Sequence, residues 1–203
     1  MDEDDESVPV WANRYPPAAI SPAQYEQFVG DLLRAGGTNL ENMRVAEHET
    51  IKGVDGTYDF DATVRFRFLD VDFLVVVEAK RYANPVKRDV VQILHAKVQS
   101  VGAHKAVLIS TAPFQRGALR YAETHGIALV TVTEGRFSIE TRAAGPAPLL
   151  TREQARELYD VPTFVGVYLG AGDTPGSTMS AIIGTDTPGR VRELLYGLPS
   201  EPE

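Results

Sequence analysis

The sequence predicts an α/β fold in which a mixed central β-sheet is flanked by helices, with a small α+β extension at the C-terminal end. Its 203 residues, of which 43% are hydrophobic and 24% charged, suffice for one substantial core. A helix pattern comes first, three strand patterns follow it, and helix and strand patterns then alternate. A meander followed by such alternation predicts antiparallel and parallel pairing within one sheet.

The first predicted helix begins at Ser21-Pro22, which supply an N-cap and a proline at the first helical position. It runs to the glycines at positions 36 and 37. Apolar residues recur at helical spacing along it: Tyr25, Phe28, Val29, Leu32 and Leu33. The pattern predicts an amphipathic helix with one face on the core.

Three strands are predicted next, at residues 43–51, 58–68 and 71–77. The second alternates apolar and polar residues, which is typical of a strand with one apolar and one polar face. The third is apolar except for Asp72, which predicts a central strand covered on both faces. It ends at Glu78-Ala79-Lys80.

Helix and strand patterns alternate beyond Pro85. Helical spacing is found at 90–101 and 114–122, and apolar strand patterns at 106–110 and 127–132. A hairpin partner is predicted at 136–140. The remaining predicted elements are a short helix near 152–159, strands at 163–169 and 178–183, and a last helix around 190–196.

These patterns predict four segments: a flexible acidic and proline-rich arm (1–20), a main domain (21–142), a linker (143–150) and a small extension or subdomain of unknown role (151–203). The last segment forms either a separate subdomain or extra elements packed on the main sheet. We expect residues 149–203 to be dispensable for the main fold and needed for assembly or partner binding.

Composition excludes several classes of protein. Without cysteine the chain has no disulfide framework and no thiolate metal site, so a metal would need carboxylates, histidines or carbonyls. No apolar run approaches the roughly 20 residues that cross a bilayer, and the first residues are acidic where a signal peptide would be basic. We therefore expect a cytoplasmic protein without a membrane partner.

Charge is unevenly distributed along the chain. The net charge of −8 argues against a protein that coats nucleic acid nonspecifically. Residues 80–120, however, hold one acid, Asp89, and eight basic residues: Lys80, Arg81, Lys87, Arg88, Lys97, Lys105, Arg116 and Arg120. Such a stretch suits an anionic ligand, although solvated helix faces explain it equally well.

Glu78 and Lys80 stand two residues apart on one strand and therefore project from the same face. They follow directly on the apolar run, where the strand leaves the interior and where unpaired charge is costly. A structural salt bridge at the strand end is one explanation of this pair. A catalytic carboxylate and ammonium are the other.

The preceding strand carries Asp59 and Asp61 on its polar side. A carboxylate there could meet Glu78 across neighbouring strands, which lie about 5 Å apart. Adjacent carboxylates repel one another unless a cation joins them, and magnesium is commonly held by one or two carboxylates with water and phosphate oxygens. Lys80 could then orient or help deprotonate the attacking water, or offset charge on a phosphate.

These residues resemble the Mrr-like branch of the restriction-endonuclease superfamily, the PD-(D/E)xK nucleases, over roughly residues 22–133. The family motif runs from an aspartate through a strand to Glu/Asp-x-Lys. The matching segments are Tyr25-Glu26-Gln27-Phe28, Gly56-Thr57-Tyr58-Asp59-Phe60-Asp61, Val77-Glu78-Ala79-Lys80-Arg81-Tyr82, Val91-Gln92, Leu108-Ile109-Ser110-Thr111 and Phe114. The resemblance implies a restriction-endonuclease-like core.

The resemblance implies that Asp61 and Glu78 bind magnesium or manganese and that Lys80 serves the attacking water. Gln92 is similar to the glutamine that lines the family's site. Glu26 resembles an additional acid near the metal, although it could also be a solvated helix residue. Asp59 departs from the family pattern and leaves the choice between the two aspartates open. We choose Asp61 because its neighbours better match the family's hydrophobic-Asp-hydrophobic segment.

The expected function is a metal-dependent DNA endonuclease of a bacterial restriction or defence system. Phosphate contacts are predicted for Arg81, Lys87 and Arg88. A homo-oligomer is expected, since cutting both strands generally requires two active sites, or assembly with a defence-system partner. The alternatives are a catalytically silent nucleic-acid-binding or assembly module with the same fold, and a repair or junction-resolving nuclease.

Overall fold

The computed structural model describes residues 6–9, 18–37, 40–134, 162–171 and 178–198. These ranges contain a mixed sheet flanked by helices, which confirms the predicted fold class. The strands are β1 (Glu41–Lys52), β2 (Thr57–Phe68), β3 (Val71–Lys80), β4 (Lys105–Ser110), β5 (Ile127–Glu134), β6 (Phe164–Ala171) and β7 (Thr178–Ile183). The helices are α1 (Pro22–Gly36), α2 (Arg88–Val101), α3 (Arg116–His125) and α4 (Pro188–Val191), and a π-helical turn, Arg192–Tyr196, continues α4.

The strands lie side by side in their order along the chain. β1, β2 and β3 form an antiparallel meander, whereas β3, β4 and β5 are parallel because α2 and α3 carry the chain back across the sheet. β6 and β7 are again antiparallel to their neighbours. The meander and the two crossovers match the order predicted from the sequence.

Two apolar layers cover the sheet. One lies under α1 and includes Leu32 and Leu33, and the other lies under α2 and α3 and includes Leu94. β3 serves both layers, because Val75 and Val77 pack on the α1 side and the residue between them packs on the α2–α3 side. This two-sided burial explains why β3 is almost continuously apolar.

Local signals set the ends of the helices. Ser21 and Gln24 form a reciprocal capping box at the start of α1, where Pro22 occupies the first turn. α2 ends at Val101 and is followed by Gly102, whose φ of 65° is the left-handed conformation that glycine adopts without strain. The start of α1 and the end of α2 therefore follow from residues that are recognisable in the sequence.

The described C-terminal elements extend the main sheet and do not form a separate core. β6 pairs with β5, and Val191 and Leu195 are buried in the same layer as Leu33 of α1. The hydroxyl of Tyr196 donates a hydrogen bond to the carbonyl of Leu33. Removal of the segment would expose these side chains, so the packing argues against the expected dispensability of residues 149–203.

Other sequence predictions fall outside the described residues: the hairpin partner at 136–140, the linker at 143–150 and the helix near 152–159. Among the helices that the structure does describe, none is long and apolar enough to cross a membrane.

Candidate active site

The site lies where β2 and β3 separate. The last paired residues of their ladder are Ala62 and Val77. At the next position a side chain takes over the hydrogen bond, because Oδ2 of Asp61 accepts from the backbone N–H of Ala79 at 2.7 Å. β3 continues beside β4 as far as Lys80, so its polar end projects beyond the ladder with β2.

Glu78 is the most deeply buried of the predicted site residues, and its side chain is only 7% exposed. Its Oε2 lies 2.6 Å from Nζ of Lys80, and its Oε1 accepts a hydrogen bond from Nζ of Lys97. Nζ of Lys80 also lies 3.6 Å from Oδ2 of Asp61. Two carboxylates and two ammonium groups therefore form one cluster in which the formal charges cancel.

This compensation is needed because an unpaired carboxylate is costly to bury. The same carboxylates also change the pKa of Lys80. Partial burial lowers the pKa of this lysine, but the hydrogen bond and negative charge of Glu78, together with the charge of Asp61, outweigh burial and raise the pKa overall. The Lys80 side chain is therefore a cation at neutral pH.

Asp59 and Asp61 do not share a face, although their spacing predicted that they would. Phe60 packs in the α2–α3 layer, whereas Ala62 packs in the α1 layer, so the alternation of β2 breaks between them. Oδ1 of Asp59 instead accepts a hydrogen bond from Oγ1 of Thr50 on β1 at 2.6 Å. The assumption that both aspartates point to one site is wrong.

An irregularity in β1 accompanies this change of face. The ladder pairs Glu47 with Ala62 and Glu49 with Phe60, and His48 and Asp61 lie between these pairs. His48 has a φ of 50°, a left-handed conformation that is uncommon for a residue with a side chain. The departure from regular pairing thus coincides with the position of Asp61.

Glu26 and Asp61 line the same pocket, which has a volume of about 230 Å³ and opens on the α1 side of the sheet. His48 and Arg81 also line it. The pocket places the acid of α1 on the same side of the sheet as Asp61. Within the described ranges, no group of three or more histidine and acidic side chains is arranged to hold a metal ion.

Tyr25 anchors α1 beside the site. Its hydroxyl donates a hydrogen bond to the carbonyl of Ile109, near the end of β4, at 2.9 Å. Burial, followed by the negative charge of Asp61, raises the pKa of this phenol, so it stays protonated. The contact fixes the helix turn that carries Glu26.

Gln92 is exposed on α2. None of the hydrogen bonds found in the described part of the chain joins it to Asp61, Glu78 or Lys80. The residue of α2 that does reach the cluster is Lys97, which the sequence analysis counted only as one of eight basic residues. A signal was present in the sequence, because Lys97 stands between Leu94 and Val98 and therefore borders the apolar face of the helix.

The predicted DNA-binding residues surround the loop between β3 and α2. Arg81 and Lys87 are exposed, and the guanidinium carbon of Arg88 lies 5.3 Å from the centre of the Tyr121 ring. The described part of the acidic arm reaches the same area, where Oε1 of Glu6 lies 3.3 Å from Nζ of Lys87. The backbone N–H of Arg116 donates a further hydrogen bond to the arm.

The donor set fits a hard divalent cation. Asp61 and Glu78 supply carboxylate oxygens, and magnesium requires only one or two of these because it retains water in its other positions. Lysine ammonium groups, however, contact both oxygens of Glu78. The site therefore has suitable metal ligands, but these carboxylates are paired with lysine side chains.

Comparison with known proteins gave one informative match. No curated protein matched the chain. A crystal structure of a protein of unknown function aligned with a TM-score of 0.40 and 18% identity, over 52% of this chain and 56% of that chain. Residues 17–134, more than half of the chain, match the family model described as a restriction endonuclease, in its Mrr catalytic form. This chain belongs to the Mrr-like restriction endonuclease family.

Proposed function

We propose that this protein is a metal-dependent DNA endonuclease that hydrolyses phosphodiester bonds with magnesium or manganese. One observation carries the proposal: Asp61, Glu78 and Lys80 form a contiguous cluster at the separation of β2 and β3, inside the segment that matches the family. We further propose that it acts in the cytoplasm, in a bacterial restriction or defence system.

In this proposal Asp61 and Glu78 hold the divalent cation. The bound cation would act as a Lewis acid and lower the pKa of a coordinated water. Lys80 contributes a fixed positive charge beside both carboxylates, where it can orient the attacking water and offset negative charge that develops on the phosphate. Glu26 faces the shared pocket and supplies an additional acid on the α1 side.

Gln92 is included in the proposed site because of its sequence segment. It is exposed on α2, and its role is supported by the resemblance of the Val91-Gln92 segment to the family. Gln92 would take part in the site by contacting bound DNA.

We propose that Arg81, Lys87 and Arg88 contact DNA phosphates. All three follow Lys80 closely along the chain, so a backbone that they bind would pass near the carboxylate cluster. Cutting both strands generally requires two active sites, so we propose that two copies assemble, or that one copy assembles with a defence-system partner.

The test is cleavage of supercoiled plasmid, linear duplex and single-stranded DNA by purified protein with magnesium, manganese or a chelator. We expect metal-dependent nicking or linearisation of the plasmid by the wild type and none by folded Asp61→Asn. Folded wild-type protein that binds DNA but cuts no substrate would instead indicate the silent binding module. Selective cleavage of branched DNA would indicate a junction-resolving nuclease.

A further inference from the structure

Lys97 is the second ammonium group in the cluster, and neither the family motif nor the expected catalytic set includes it. It lies on α2, 19 residues after Glu78, and donates a hydrogen bond to Oε1 of that carboxylate. Its side chain is 23% exposed, against 7% for Glu78. The contact is therefore partly shielded from water, which strengthens a charge–charge interaction.

The charges in the cluster have a consequence for metal binding. Lys80 and Lys97 together balance the two carboxylates, so these four side chains are formally neutral as a group. A divalent cation that used Oε1 of Glu78 would meet the ammonium of Lys97 at contact distance. Like charges at that separation repel strongly, so cation and ammonium cannot share this oxygen.

Lys97 has other partners that could hold it away from Glu78. Its Nζ lies 3.3 Å from the carbonyl oxygen of Asp59, and 5.5 Å from the centre of the Phe60 ring. A carbonyl acceptor and an aromatic face both stabilise an ammonium group. The lysine can therefore release the carboxylate by a rotation of its flexible side chain, without being left unpaired.

We propose that Lys97 is a positioning residue that competes with the divalent cation for Glu78. In the metal-free protein its ammonium holds the nearly buried carboxylate in place, and it withdraws towards Asp59 and Phe60 when the cation binds. The presence of Lys97 thus weakens cation binding and couples it to movement of this side chain. The inference rests on the proposed metal site at Asp61 and Glu78.

The test measures the affinity of metal-free protein for Mn²⁺ and Mg²⁺ by calorimetry, without DNA. Lys97→Met removes the competing charge and keeps a long apolar stem, so we expect both cations to bind about tenfold more tightly. Lys97→Gln serves as a second neutral variant that retains a hydrogen-bond donor for Glu78. Thermal unfolding of each metal-free variant establishes that it is folded.

Two controls leave a positive charge at position 97. Lys97→Arg retains the charge at the site and should bind the cations with about wild-type affinity. Lys52→Met removes one charge from the exposed end of β1, so it reports the effect of net charge alone and should also resemble the wild type.

A purely structural role for Lys97 predicts lower thermal stability in Lys97→Met with unchanged or weaker cation binding, and that result would overturn the inference while leaving the metal site intact. Absence of cation binding in the wild type and in both neutral variants would overturn the proposed metal site as well. Tighter cation binding by the two neutral variants, but not by the two controls, supports both the metal site and the role of Lys97.

Discussion

Glu78 depends on two lysines that reach it from different elements. Lys80 comes from the same strand and Lys97 from the helix that follows. Removing one partner of a buried ion pair leaves charge uncompensated, which is more costly than losing an exposed pair. When either lysine is substituted, the other still compensates the charge of Glu78. Each single substitution should therefore cost less stability than the loss of a sole partner.

Lys80→Met should abolish DNA cleavage and leave the fold intact. The variant loses the ammonium group that lies beside both carboxylates. Because Lys97 still compensates the charge of Glu78, we expect the free energy of unfolding to fall by only about 1–2 kcal/mol. Plasmid cleavage and urea denaturation measure the two effects. Wild-type cleavage by Lys80→Met would rule out the proposed role of this lysine.

Substitution of the two aspartates of β2 should affect cleavage very differently. Asp61→Asn keeps the size of the side chain but removes the anion that contacts Lys80, so cation binding and cleavage should be lost. Asp59→Asn changes a carboxylate that contacts Thr50, so at least partial activity should remain. Plasmid cleavage with magnesium compares them. The reverse ranking would assign the metal ligand to Asp59.

At the scale of elements, the separation of β2 from β3 creates the site. A continued ladder would pair the backbone of Asp61 with β3, whereas the separated strands allow its carboxylate to accept from the N–H of Ala79. The left-handed His48 on β1 lies level with this change. α1 then covers one side of the opening through Tyr25, and α2 closes the other side through Lys97.

The loop from β3 into α2 should supply most of the phosphate contacts. Neutralising Arg81, Lys87 and Arg88 together should weaken binding to all DNA sequences alike and reduce the slope of log affinity against log salt by about 2–3. Fluorescence anisotropy over a series of salt concentrations measures this slope.

A matched control removes three exposed basic residues from other elements: Arg34, Lys52 and Arg67. This variant should keep a nearly wild-type salt slope. If both triple variants lower the slope equally, net charge governs binding and the β3–α2 loop has no special part.

At the scale of the whole molecule, the C-terminal elements complete the core that α1 begins. Ile183, Val191, Leu195 and Tyr196 belong to the same apolar layer as Leu33. Gly166 of β6 fits closely between its neighbours, since an added Cβ would lie 2.7 Å from Val130. The catalytic segment and the C-terminal segment therefore share one core, despite the proline-rich stretch between them.

A fragment ending at Ala144 should fail to fold. It lacks the C-terminal residues buried in the sheet, and full burial of one large apolar side chain contributes about 1.5–3 kcal/mol against a total stability of about 5–15 kcal/mol. Circular dichroism and amide NMR dispersion report the outcome. A fragment ending at Leu198 keeps every described element and should fold like the full chain. A folded, active fragment at 144 would show that the segment is dispensable.

The sequence by itself predicted the order of the described elements, because periodicity, caps and turns are local properties of the chain. Its resemblance to the family singled out Asp61, Glu78 and Lys80. Tertiary structure decided the contacts between distant residues. Glu78 meets Lys97 across 19 positions, and Leu33 meets Tyr196 across 163. Period-two spacing also predicted one face for Asp59 and Asp61, but the pairing of β2 with β1 and β3 reverses that face locally. Such contacts depend on how strands and helices are placed together, which no local pattern encodes.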